Sequence, residues 1–334
     1  MGKHSRFNGC LTAIGFCAVA FTSVSCKKEK SAPGPSGWSQ VFSTLFNDHA
    51  LRVKVMPDGK VYFTTLYGKM YVSHDRGKRF VRQAVWGDPY DISDVAWSKE
   101  FNFLVGNTGL MGRESDGGSG DDWWQTWKFD DAYDFNSIAC LKDYVWICGT
   151  EKGTNNSMLL ASDNGGSSFV PVYLNNKLLY KTIFITEYNG WLAGDGLLMK
   201  STNRGLFWKP KYQNPDVGFR DITFYDSLNG IAVGFPSAIY RTSNGGESWT
   251  MVPSPVSGTL LSVDYTPNGT VWIAGHRYDG KAYKSVLLYS RDMGQTFQAH
   301  SYQTNALYSI DFMDDSTGFA CGENVMLRTQ TGGF

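Results

Sequence analysis

The stretch TSNGGESW (242–249) decides how this chain is read, because the chain repeats it. SHDRGKRF stands at 73–80, SDNGGSSF at 162–169, STNRGLFW at 201–208 and SRDMGQTF at 290–297. All five obey one pattern: Ser or Thr, any residue, Asp or Asn, any residue, Gly, any two residues, an aromatic. Each part has a physical use in a tight turn. The Asp or Asn (Asp75, Asn164, Asn203, Asn244, Asp292) accepts hydrogen bonds from backbone N–H groups of its own turn. The glycine two positions later supplies a backbone conformation that costs other residues more. The closing aromatic has the size to anchor the turn on a core. The pattern therefore reads as a folding device before it reads as a site.

Working outward, each turn sits inside a longer unit. In FRDITFYDSLNGIAVGFPSAIYRTSNGGESWTMV (219–252), DITF, NGIAVG, SAIYRT and SWTMV read as four short strands in succession. The order recurs, and turn starts fall near Ser73, Arg113, Ser162, Ser201, Thr242, Ser290 and Thr329. A period of about 40 residues with four strands per unit is the signature of β-propeller blades. The expectation is an all-β, seven-bladed β-propeller of four-stranded antiparallel blades over 38–334. In six units the second strand closes on glycine (Gly106, Gly149, Gly194, Gly234, Gly275, Gly322), and Thr65 takes that place in the first. The last unit ends before any fourth strand, and the first is preceded by an orphan, SGWSQVF (36–42). The N-terminal strand is expected to complete the last blade and so remove an open edge.

Composition agrees. The 334 residues are 42% hydrophobic and 15% aromatic with 37 glycines, which favours short strands and tight turns. There are 31 basic and 31 acidic residues, so overall charge gives no case for nucleic acid. Residues 1–25 read as a lipoprotein-type signal peptide: Lys3 and Arg6, an apolar stretch at 10–21, and SVSC ending at Cys26. Cys26 is the expected lipidation site, with cleavage leaving it unlipidated as the other reading. Residues 26–37, KKEKSAPGPSG after the cysteine, read as a flexible tether. Cys140, Cys148 and Cys321 remain; their odd number excludes a full disulfide framework, and Cys140 with Cys148 is left open as a pair or as free thiols. The chain has no CxxC, HExxH, GxSxG or Walker pattern. Asp116, Asp121 and Asp122 form an acidic run at spacings unlike an EF-hand loop and read as a solvated loop. No metal and no cofactor are expected.

The repeated turns resemble the Asp-box, or BNR, repeat. The chain as a whole resembles the photosystem II stability/assembly factor family, whose members are exported, often lipidated propellers that hold partner proteins without chemistry. That resemblance implies a non-catalytic, membrane-tethered scaffold in a bacterial cell envelope, monomeric, with protein partners at or in the membrane. Sialidases share the box, and the alternative reading is therefore a glycan-binding or glycan-hydrolysing propeller. Sialidases are six-bladed and carry an early Arg-Ile-Pro motif and an arginine triad. This sequence shows no such motif, and Arg52 and Arg220 at similar unit starts have no evident third. Two carboxylates about 5–10 Å apart in an open pocket would favour a glycosidase.

Loops between second and third strands and loops between blades share the rim opposite the boxes, and loops on a rigid scaffold carry function. Candidate partner-binding residues there are Trp86, Tyr90, Lys181, Arg220, His276, Arg277 and Tyr308, since Trp, Tyr and Arg dominate binding hot spots. Lys181, Arg220 and Tyr308 are expected at one equivalent position of three units. No catalytic residue is assigned: His276 lacks a nucleophile or an orienting carboxylate at recognisable spacing.

Overall fold

A computed structural model describes residues 37–41, 49–83, 85, 90–98, 102–115 and 123–334. The chain divides into two units, 1–31 and 32–334, and every described residue belongs to the second. Trp86, Cys26, the signal and most of the tether, and Asp116, Asp121 and Asp122 lie outside the described residues. Val, Ile, Leu and aromatic residues alternate with polar ones over short runs, and these runs form antiparallel strands arranged as a β-propeller.

The expected count of seven blades is corrected to six. The described strands form six sheets, five of four strands and one of six. The overturning feature is strand continuity. Gly190–Ser201 and Lys209–Phe224 run unbroken for 12 and 16 residues. The first half of Lys209–Phe224 pairs with Gly190–Ser201 as an outer strand, and its second half pairs with Gly230–Phe235 as an inner strand. QNPDV (213–217) contains a proline, yet Asp195 pairs with Gly218 beyond it and the two repeats share one sheet.

Ring closure is made by the two ends of the described chain. Trp38–Gln40 pairs antiparallel with Val325–Thr329, Trp38 opposite Thr329, and so supplies the fourth strand of the last sheet. Trp38 is fully buried, edge-on to Trp272 and Phe312. The core is a series of wedges between adjacent sheets: Val53, Val61 and Phe63 of the first sheet pack on Phe319, Cys321 and Met326 of the last.

The innermost strand of each unit carries a β-bulge at one place, one extra residue before the pairing resumes. The closing glycines lie opposite these bulges. At Gly234 an added Cβ would lie 1.9 Å from the Gly218 carbonyl oxygen, and at Gly275 2.1 Å from that of Thr259. The glycine is thus needed for close backbone approach.

The repeated turns are built alike. The Asp or Asn accepts from the fourth residue on, as in Ser248 N–H to Asn244 Oδ1 at 3.1 Å, Phe207 N–H to Asn203 at 2.9 Å and Ser168 N–H to Asn164 at 3.0 Å. Asp75 and Asp292 each accept from two successive N–H groups. The leading hydroxyl, whose role the sequence reading missed, does two jobs: Thr242 Oγ1 donates to Asn244 and accepts from Gly246 N–H. Gly246 has φ +74° and its missing side chain leaves room for Trp191 of the adjacent repeat, so the turn also seats one repeat on the next.

Candidate functional site

The residue that follows each bulge faces the ring's interior: Arg52, Asp94, Ser137, Lys181, Asp221, Ser262 and Ser309. Together they make a polar belt at the centre. Asp94 is fully buried and is met by Lys181 Nζ at 3.2 Å, Arg52 Nε at 3.6 Å and the Ser137 hydroxyl at 3.0 Å. Burial opposes its ionisation, but Lys181, Arg52, Lys54 and Ser137 outweigh this and hold its carboxyl well below the usual carboxylate range. Burial lowers the Lys181 ammonium, and Asp94 offsets that only in part.

Aspartates of the inner strands also stitch neighbouring repeats together. Asp94 accepts from Ile138 N–H, Asp221 from Val263, Asp264 from Phe312 and, across the seam, Asp311 from Val55. Beyond the belt lies a cavity of about 250 Å³ lined by Lys54, Trp97, Cys140, Thr223, Asp264 and Asp311 among others. Asp264 is hydrogen-bonded to Asp311; burial and the Asp311 charge push the Asp264 carboxyl well above the usual range. The two carboxyls are thus in direct contact. That is closer than the ~5 Å separation of a retaining glycosidase pair and the larger one of an inverting pair.

Lys181 therefore does not belong with Arg220 and Tyr308. It follows its bulge and is buried at 5% exposure, whereas Arg220 and Tyr308 are themselves the bulged residues, together with Tyr180. The same one-residue offset separates Arg52, in the belt, from Arg220, on the rim.

On the rim opposite the repeated turns, four of the sequence candidates, Arg220, His276, Arg277 and Tyr308, and several unforeseen residues form one sector. The Arg220 guanidinium lies 3.7 Å from the Tyr180 ring centre. Asp195 pairs with Arg220 at 3.6 Å and accepts from the Tyr180 hydroxyl at 3.2 Å. Gly218, beside Asp195 and Arg220, pairs with Phe235. The turn after Phe235 is tied to the next inter-repeat loop, Ser237 N–H donating to the Gly258 carbonyl and Gly258 N–H to Ser237 Oγ. Gly258 in turn packs on His276 and Arg277. There Tyr283 stands edge-on to His276 at 4.7 Å and against Tyr278 at 5.4 Å. Tyr308 is half-buried on the next inner strand, its hydroxyl pushed up by burial and by Glu323. Phe235, Tyr278 and Tyr283 are exposed, as is Arg277, and burial pushes the half-buried His276 down.

Tyr90 sits elsewhere on the rim, its hydroxyl accepting from Lys128, whose ammonium also lies 4.4 Å from the ring centre. Phe235 and Tyr283 carry no sequence signal of their own; Tyr180 was within reach, being the residue aligned with Arg220 once the bulge is counted. Cys140, Cys148 and Cys321 are free thiols, with Cys148 and Cys321 pushed up to about 12 by burial. Among the described residues no cluster of His, Cys, Asp and Glu is suited to a metal ion.

No protein-family profile matches the chain. Two curated relatives do. The photosystem II assembly lipoprotein Ycf48 of Synechococcus is 25% identical over 195 residues, 56% of this chain and 56% of that protein. The chloroplastic photosystem II stability/assembly factor HCF136 of Arabidopsis thaliana is 22% identical over 312 residues, 71% of this chain and 75% of that one. The chain thus spans just over half the length of the first. Among solved structures, Ycf48 from Cyanidioschyzon merolae superposes with a TM-score of 0.67 at 17% identity, covering 88% of this chain and 98% of that one. A virginiamycin B lyase from Staphylococcus aureus reaches 0.71 at 12% identity over 88% and 98%, so likeness at this level carries the fold alone. Six sheets remove one of the distinctions drawn from sialidases, while the missing Arg-Ile-Pro motif still separates them. The chain is a β-propeller similar in sequence to the photosystem II assembly factors Ycf48 and HCF136.

Proposed function

We propose that this chain is a non-catalytic binding module that holds a protein partner during assembly of a membrane or envelope complex. It acts from a lipid tether at Cys26, on the periplasmic or cell-surface side of a bacterial membrane. The observation that carries the reading is the contiguous rim sector of Tyr180, Arg220, Phe235, Arg277, Tyr278 and Tyr283. Arginine and aromatic side chains are the types that dominate protein-binding hot spots. They are presented here by bulges and strand ends of hydrogen-bonded sheets, with Arg220 pre-oriented by stacking and an ion pair, which lowers the ordering cost of binding. Relatives named as assembly factors support the same role. The central belt supports it from the other side, since its buried charges are committed to one another and to neighbouring backbone.

The test is affinity capture from native membranes with the full chain beside a variant carrying Arg220→Ala, Phe235→Ala and Tyr278→Ala, both checked for an unchanged melting temperature. The proposal expects a defined membrane protein recovered by the wild type and reduced at least tenfold with the variant. Equal recovery by both, or recovery of nothing specific, refutes it.

A further inference from the structure

The opposite rim, which carries the repeated turns, has an apolar feature that the fold does not require. In each turn two residues separate the glycine from the closing aromatic. They are Lys78 and Arg79, Ser167 and Ser168, Glu247 and Ser248, and Gln295 and Thr296 in four turns; in the fifth they are Leu206 and Phe207. Leu206 is 65% exposed and Phe207 60% exposed, so neither is held there by packing. Tyr188 lies beside this turn, its hydroxyl accepting from Arg204, and its ring and that of Tyr144 lie on the Arg204 guanidinium. On the neighbouring repeat, Tyr225 and Leu228 are also exposed, and the Leu228 carbonyl accepts from the next turn at Gly245.

The same rim receives the N-terminal chain. Gly37 sits against Phe334 and Thr331, at the end of the last sheet where its repeated turn lies. Ten residues separate it from Cys26. The root-mean-square span of a random coil of that length is about 20 Å.

We propose that the rim bearing the repeated turns rests on the lipid bilayer, with Leu206, Phe207 and Leu228 entering the headgroup region. The inference rests on the tethered reading given above and adds an orientation to it. Leucine, phenylalanine and tyrosine beside arginine are the mixture that favours a membrane–water interface. A short tether leaving the same rim brings that rim, and no other, close to the anchor. The partner-binding sector then faces away from the lipid.

Hydroxyl-radical footprinting read by mass spectrometry tests this on the full chain bound to pure phosphatidylcholine vesicles and purified by flotation. Phe207 and Phe235 share intrinsic reactivity and are 60% and 53% exposed, on opposite rims. In water their oxidation ratio is close to one. The proposal expects the Phe207 to Phe235 ratio to fall at least threefold on vesicles, with Leu206 and Leu228 protected alongside. A ratio that stays near one while the chain floats overturns the orientation and leaves tethering intact. Protection of Phe235 instead overturns it in favour of the other rim. A chain that does not float overturns tethering and orientation together.

Discussion

Replacing Asp94 by asparagine removes the carboxylate that ion-pairs with both Lys181 and Arg52, and leaves them the weaker, more distant attraction of Asp221. At 3.2 Å and 3.6 Å, with an effective dielectric of about 20, each gross attraction is roughly 5 kcal/mol, most of it offset by desolvation. What matters is the charge left behind. The Arg52 side chain is 16% exposed and able to turn toward water, whereas that of Lys181 is 7% exposed and has no such route. Breaking a buried pair from one side costs about 3–5 kcal/mol, and Asp94→Asn is expected to fall in that range. Lys181→Met leaves Asp94 its arginine and should cost about 1–3 kcal/mol. The double variant should then be more stable than Asp94→Asn alone, because the stranded ammonium is gone. Urea unfolding followed by tryptophan fluorescence measures all three. The pH dependence has a defined sign. Asp94 titrates lower in the folded than in the unfolded chain, so its contribution is present above the unfolded carboxylate value of about 4 and is lost as pH falls below it. Asp94→Asn should lack that acid limb. A cost under about 1 kcal/mol, or a double variant whose losses simply add, would refute the belt as an electrostatic unit.

Three further outcomes are expected. Asp264→Asn keeps an acceptor for Phe312 N–H and ends the carboxyl–carboxyl conflict; since a raised folded value makes stability fall as pH rises from about 4, the variant should flatten that decline in urea midpoints between pH 5 and 8. Gly234→Ala places a methyl 1.9 Å from a backbone carbonyl and should cost about 2 kcal/mol or more by thermal unfolding, while Gly153→Ala, where nothing lies within 4 Å but φ is +74°, should cost about 1 kcal/mol. Trp38→Ala empties the buried site between Trp272 and Phe312 and should cost about 3–5 kcal/mol in the same assay.

The propeller was legible because its signals are local: a turn of eight residues, two-residue alternation, and a repeat of both. The sheet count was not, because Asn214 and Pro215 mark a break by local preference while the pairing of Asp195 with Gly218 carries the strand through. The rim candidates were legible by residue type, but Lys181 was misplaced by one position, since a bulge shifts everything after it to the other side of the strand. The belt could not be read at all. Asp94 and Lys181 lie 87 residues apart, and only the stacking of three successive repeats through Ser137 makes them neighbours, as closure of the ring does for its two ends.

That closure has a consequence for the order in which the molecule is made. Ser39 reaches Arg328 across a separation of 289 residues. A chain synthesised from its N-terminus at about 5–20 residues per second has this strand waiting some 15–60 s for its counterpart. Throughout that interval Trp38 has no pocket, and the growing stack of sheets is an open arc with an unpaired edge. The strand that seals the arc is the first made and the last seated. A nascent chain stalled before residue 325 should therefore expose Trp38 to chaperones and proteases, however well its earlier sheets have folded.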